Sequence, residues 1–169
     1  PMHAAAVAWA ESISKDSNGT IKVTIYPSQQ LGKAFDHYDM ARDGIADVTY
    51  INPGYQPVRF PIIGAGELPF LVSDAKGGSM ALDAWYRKYA EKEMKDVKFC
   101  LAFIHSPSTF HSRTKKIVVP DDVKGMKFRT VGLATEVFQN MGVAVTQLPG
   151  GEIVPAMQQG VIDGFEFNN

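Results

Sequence analysis

The feature that most constrains this chain is a unit that occurs twice. Residues 21–48 read as strand, Pro27, helix, Gly44-Ile45-Ala46-Asp47, strand. Residues 143–167 read as strand, Pro149, helix, Gly160-Val161-Ile162-Asp163, strand. The helices differ in length, but the punctuation agrees. Two similar α/β units fit a two-lobed protein with a cleft between the lobes. In open α/β sheets, ligands bind beyond the carboxyl ends of the strands.

The intervening pattern agrees with that class. Residues 3–16 predict a helix with Ala5, Val7, Ala8, Trp9 and Ile13 on one side, and Asn18-Gly19 is a turn signal. Strands are expected at Ile21–Tyr26 and Ala46–Ile51, with a helix at Leu31–Asp43 closed by Gly44. Gly78–Lys95 is the longest helical pattern. Lys98–Ile104 is nearly all apolar and reads as a strand buried on both faces. Residues 105–125 are polar and irregular, with a weak strand at Lys116–Val119. Strands at Met126–Val131, Val143–Leu148 and Val161–Phe167 then alternate with helices at Leu133–Met141 and Ile153–Gln159. Alternation of this kind argues α/β with a largely parallel sheet.

Composition removes several function classes. The net charge of −1 gives no basic field for nucleic acid and no polybasic membrane anchor. No apolar run approaches the roughly 18 residues of a membrane span. The single cysteine, Cys100, excludes an intrachain disulfide, and its place in an apolar strand predicts an inert thiol. The chain opens on Pro1 without a signal-peptide pattern and stops just after a strand expected to be buried, so it reads as a piece of a longer one.

Arg129 is the strongest candidate for chemistry. It lies late in a strand, and Gly132 and a helix start follow. A guanidinium there projects into the crevice at the strand end, and its planar fork matches a carboxylate with two parallel hydrogen bonds. A surface or interlobe salt bridge is the alternative. Asn52 and Tyr55 follow an expected strand at its carboxyl end, although Asn52-Pro53-Gly54 is also a turn sequence in its own right. Phe167 could stack on a ligand or fill core, and Glu166 could orient Arg129 from behind.

Signals for catalysis are poor. The chain has no G-x-S-x-G, Walker loop, G-x-G-x-x-G or H-E-x-x-H. A hydrolase built on the His105, Ser108 and His111 loop (residues 105–112) is the rival from another class, but no acid is positioned for it. The spacing of those histidines matches no metal-ligand pattern. No metal or cofactor is expected.

In order along the chain stand Ser17-Asn18-Gly19-Thr20-Ile21-Lys22-Val23, Tyr26-Pro27, Gln30-Leu31-Gly32, Gly44-Ile45-Ala46-Asp47 and Leu68-Pro69-Phe70. Later come Asp122-Val123-Lys124-Gly125-Met126-Lys127-Phe128-Arg129, Met141-Gly142, Glu152-Ile153-Val154, Ala156-Met157-Gln158-Gln159-Gly160 and Asp163-Gly164-Phe165-Glu166. In these motifs the sequence resembles the DctP-type solute-binding proteins of TRAP transporters, over nearly its whole length. The resemblance implies a two-lobed, Venus-flytrap α/β fold, incomplete here. It divides into lobe I at residues 1–106, lacking its first strand, and lobe II at residues 107–169, lacking its remainder.

The resemblance further implies a periplasmic protein, not itself membrane-embedded. It would capture a small organic acid and hand it to a membrane permease driven by an ion gradient. Arg129 falls on the family's signature arginine, which implies a salt bridge to the ligand carboxylate. Asn52, Tyr55 and Thr109 would read polar groups, and Phe167 and Phe70 would shape an apolar wall. Where the sialic-acid-binding branch has a second arginine, this chain has Thr109; where that branch has an asparagine after the glutamate, it has Phe167. Both departures argue for a smaller or less polar monocarboxylate, such as a hydroxy, keto or aromatic acid. A sensor-type receptor domain would share every one of these features.

Overall fold

A computed structural model describes residues 2–168. Helix α1 spans Met2–Asp16 and none of its residues is buried. The next helix is shorter than its sequence pattern. Ser28 and Gln29 take positive φ, and the Gln29 side chain accepts from the Ala34 N–H at 2.7 Å, so the turn consumes the start. A 3-10 turn at Ala34–Asp36 leads into α2, His37–Arg42. Gly44, at φ 72°, ends it as expected.

The long pattern at 78–95 divides into α3 (Ala75–Tyr86) and α4 (Ala90–Glu93). Asp74 caps α3 by accepting from the Gly77 N–H at 2.7 Å. Glu93 explains the second turn's placement. Its carboxylate accepts from the Ile62 and Ile63 N–H groups at 2.5 and 3.1 Å and from the Tyr86 hydroxyl at 2.5 Å. That fastens the 3-10 turn Ile63–Glu67 to the core formed by Tyr38, Phe60, Tyr86, Ala90, Met94 and Ala102.

One four-stranded sheet organises the second half, in the order β1-β4-β2-β3. Its strands are β1 (Ser108–Ser112), β2 (Lys127–Arg129), β3 (Ala144–Thr146) and β4 (Gly164–Asn168). Strands β3, β2 and β4 are mutually parallel, and β1 joins β4 antiparallel. Helix α5 (Ala134–Asn140) connects β2 to β3, and α6 (Ile153–Gln158) connects β3 to β4. Phe128 and Phe138 stack at 5.3 Å within the cluster of Val123, Met126, Phe128, Phe138 and Val143. Ile153 and Ala156 of α6 form a further cluster with Ile162.

The repeated punctuation has a common cause. Both helices end with a left-handed glycine, Gly44 at 72° and Gly160 at 71°. The following N–H bonds back to the helix in each case: Ile45 to Met40 O, and Val161 to Ala156 O, both at 2.9 Å. The units then diverge. Asp163 receives the Lys127 N–H on its carboxylate at 2.9 Å, and its own N–H donates to Lys127 O at 2.7 Å, which docks β4 on β2.

Several expectations are corrected. The segments 21–26, 46–51 and 98–104 join no ladder among the described residues. Lys98–Ile104 is not buried on both faces, since Leu101 is 61% exposed. Cys100 is exposed, so burial does not shield its thiol. The weak strand at 116–119 does not form, because the Asp122 carboxylate takes the Val118 and Val119 N–H groups at 2.8 and 3.0 Å. The strand in this region is instead β1, an edge strand that is polar except for Phe110.

Phe128→Ala should cost about 3–5 kcal/mol, because the cavity lies in the centre of its cluster. Gly164→Ala should also lower the melting temperature. A methyl there would lie 2.5 Å from Phe128 Cζ and 2.6 Å from the His111 carbonyl, and the backbone partner cannot yield cheaply. Thermal denaturation of both variants checks the packing; a Gly164→Ala protein as stable as the parent would contradict it. Acid should destabilise the fold. The Arg59 guanidinium holds Asp39 below the usual carboxylate range, and the N–H groups of Val119 and Val118 do the same for Asp122. Lowered folded-state values give stability that is present above the unfolded pKa, near 4, and is lost as pH falls through them. Melting temperatures between pH 7 and pH 3 measure it.

Candidate functional site

Arg129 ends β2, the strand flanked by β3 and β4, opposite Thr146 on one side and Phe165 on the other. Its side chain stays at the carboxyl ends of the neighbouring strands. Nε donates to the Leu148 carbonyl, just past β3, at 2.8 Å. Nη1 donates to the Glu166 carbonyl in β4 at 3.2 Å. The Phe167 ring lies 5.8 Å from Cζ. The Tyr55 hydroxyl lies near enough to favour the charged form of the guanidinium.

The residue is only 2% exposed. Among the described residues no carboxylate lies within the 4.0 Å of an ion pair with it; the four ion pairs found involve Arg42, Arg59 and Arg87. Burial pushes its pKa down, while Tyr55 and Glu166 push it back up. Desolvating a cation is costly, and here carbonyl dipoles and one phenol offset the cost where a counter-ion would normally do so. Glu166 thus orients Arg129 through its backbone carbonyl; its carboxylate makes no ion pair with it.

Tyr55 and Asn52 approach from the first half of the chain. Asn52 caps the 3-10 turn Pro53–Tyr55 by accepting from the Gly54 N–H at 3.0 Å, so the turn chemistry of Asn52-Pro53-Gly54 is realised. The Tyr55 ring packs on Phe35 at 4.8 Å, which sets its direction. The turn meets the β2–α5 connection directly, since Gly132 N–H donates to the Gly54 carbonyl at 3.0 Å.

Glu67 is the residue that sequence reasoning missed. Its carboxylate accepts from the Leu133 N–H at 2.7 Å, at the start of α5. Gly132, at φ 57°, leaves no room for a side chain, because a Cβ would collide with the Glu67 carboxylate. A Cβ on Gly54 would lie 2.9 Å from the same carboxylate. Although much of the Glu67 side chain is exposed, desolvation of its carboxyl raises the pKa; the Leu133 N–H opposes that rise and Glu166 adds to it. No local pattern marks such a residue, since the N–H that it accepts lies 66 positions away.

Thr109 and Phe70 make no contact with the guanidinium that resembles those of the Leu148 and Glu166 carbonyls. Thr109 faces Phe167 across the β1–β4 pair, is exposed, and shares a 2.9 Å hydrogen bond with His111 Nε2. Phe70 is fully exposed at φ 64° and does not lie against the Arg129 cluster. The hydrolase reading is not favoured. His111 lies flat on Phe165 at 4.7 Å and meets Thr109, while His105 meets the Tyr50 hydroxyl at 3.3 Å. Neither imidazole is paired with a serine among the described residues. No helix among those residues is long and apolar enough to cross a membrane.

The fold has counterparts among solved structures. A marine metagenome TRAP solute-binding protein specific for aromatic acid ligands, from an unidentified microbe and solved with 3-hydroxybenzoate, is 36% identical. The match covers 96% of this chain and 51% of that one, at a TM-score of 0.89. A TRAP solute-binding protein from Rhodoferax ferrireducens T118, solved with copurified benzoate, is 34% identical over 95% of this chain and 50% of that one, also at 0.89. A solute-binding protein of Albidiferax ferrireducens is 30% identical over 92% of this chain and 46% of its own length. The chain therefore spans about half the length of the relatives it matches, and its α/β fold is that part of a two-lobed binding protein. The profile of the bacterial extracellular solute-binding proteins, family 7, matches residues 1–169, and the chain belongs to this DctP family.

Proposed function

We propose that the protein captures a small aromatic monocarboxylate, without bond-making, by pairing its carboxylate with Arg129. The observation that carries this reading is a buried guanidinium with no carboxylate partner among the described residues. A visiting anion would supply the missing counter-charge, and the fork of the guanidinium suits two carboxylate oxygens. The Tyr55 hydroxyl already shares the site and would pass to the ligand or read a second polar group. The Phe167 ring beside Cζ is an apolar wall suited to an aromatic body. Related proteins of similar fold were solved with 3-hydroxybenzoate, benzoate and mandelate, all carboxylates on an aromatic frame.

In the wider setting we propose a periplasmic receptor that delivers its ligand to TRAP permease subunits. Its lobes would divide near residues 106 and 107. Asn52 and Thr109 remain candidates for reading polar groups at the rim, and Phe70 for joining the wall once the lobes move.

Calorimetry on the intact protein with benzoate, 3-hydroxybenzoate and mandelate tests the reading, with benzamide as the uncharged control. The carboxylates should bind and benzamide should not. Arg129→Ala should weaken binding by about 2–5 kcal/mol, the cost of leaving a buried charge without its partner. Arg129→Lys should recover only part of this loss, because it keeps the charge but not the fork. Equal binding of benzamide, or unchanged affinity in a folded Arg129→Ala protein, would overturn the proposal.

A further inference from the structure

Arg129 is sealed at 2% exposure, so an anion reaches it only if something covering it moves. The sheet cannot supply that movement. The carbonyls of Leu148, just past β3, and of Glu166, in β4, grip the guanidinium from either side of β2. Of the groups around it, Phe167 belongs to the sheet, whereas the 52–55 turn does not: it docks on the β2–α5 connection, its Gly54 carbonyl accepting from the Gly132 N–H at 3.0 Å three residues beyond Arg129. What holds this turn down is therefore what governs access.

Two hydrogen bonds tie the first half of the chain to the β2–α5 connection. One is backbone to backbone, from Gly132 N–H to Gly54 O. The other is the Leu133 N–H to the Glu67 carboxylate. Three features make the second one the fastener. First, it is charge-assisted, and a carboxylate accepting a backbone N–H at the start of a helix is favoured by both charge and dipole. Second, Glu67 ends a 3-10 turn that Glu93 pins to the core through Ile62 and Ile63, so the carboxylate is mounted on a fixed support. Third, the fit is close on both sides. A Cβ at Gly132 would overlap the carboxylate and one at Gly54 would crowd it, so both glycines leave the space that it fills. Arg129 lies only three residues before Gly132, so the fastener and the anion site share one short connection.

We propose that Glu67 is the clasp that closes the 52–55 turn over Arg129 and sets how long a bound carboxylate stays. It is a positioning residue: it does not touch the ligand, and it acts through Tyr55 and the β2–α5 connection. The proposal rests on the capture reading for its effect on ligand, but the clasp itself is testable without any ligand.

The test uses the intact protein with Glu67→Ala, Glu67→Gln and Gly132→Ala. Hydrogen exchange first asks whether the Leu133 amide is protected in the parent. It should be, and Glu67→Ala should lose that protection while the β2–β4 amides keep theirs. Glu67→Gln, which retains an acceptor oxygen, should keep most of it. Gly132→Ala should mimic Glu67→Ala by displacing the carboxylate. Stopped-flow release of benzoate should be about tenfold faster in Glu67→Ala, as expected for one charge-assisted hydrogen bond, with no slowing of association. A Leu133 amide that is unprotected in the parent, or equally protected in Glu67→Ala, overturns the clasp. So does unchanged release from that variant. If the parent binds no aromatic carboxylate, the capture reading falls, and the exchange result alone still decides the clasp.

Discussion

A desolvated guanidinium organises this structure. Arg129 is held by two carbonyl oxygens on either side of its own strand, one just past β3 and one in β4, and no carboxylate pairs with it among the described residues. That arrangement requires the order β4-β2-β3. Only with β2 inside can one side chain reach the end of β3 and the middle of β4 together. The order depends in turn on Asp163, whose N–H and carboxylate both engage Lys127, and on Gly164, where a side chain would strike Phe128. Packing beneath the sheet and charge above it are thus joined through two adjacent residues of one strand, Phe128 and Arg129.

The cation is what the fold carries at a cost. A buried charge neutralised only by dipoles is poorer than a paired one, and an apolar side chain would suit a core better. Such an arrangement is expected where the missing partner arrives from outside. The two halves of the chain contribute unequally to it. The sheet supplies the guanidinium and its rigid setting, whereas the 52–67 segment supplies the phenol and the Glu67 carboxylate that approach it. On the capture reading proposed above, these two parts would come together around an anion, with binding energy drawn from contacts that exist only when they meet.

Much of the second half was legible in the sequence. Helices α5 and α6 and strands β2 and β3 fall within their expected segments, and β4 starts three residues later and ends one residue later than expected, because apolar periodicity and Gly160 mark them. Arg129 was found because a cation late in an apolar strand before a glycine is conspicuous. The first half was less legible. Residues 21–26, 46–51 and 98–104 have strand-like patterns, but a pattern does not provide a neighbour, and no described residues pair with them. Strand β1 was hidden by its own polarity, as edge strands often are. Glu67 and its glycines were hidden because their meeting is purely tertiary: Gly132 looks like ordinary turn punctuation until its missing Cβ is seen to make space for a carboxylate.

The most direct measurement is a crystal structure of the intact protein grown with benzoate. Both carboxylate oxygens should lie about 3 Å from Arg129 nitrogens, with the ring against Phe167. A benzoate bound elsewhere, with the guanidinium still engaged only by the Leu148 and Glu166 carbonyls, would contradict the account.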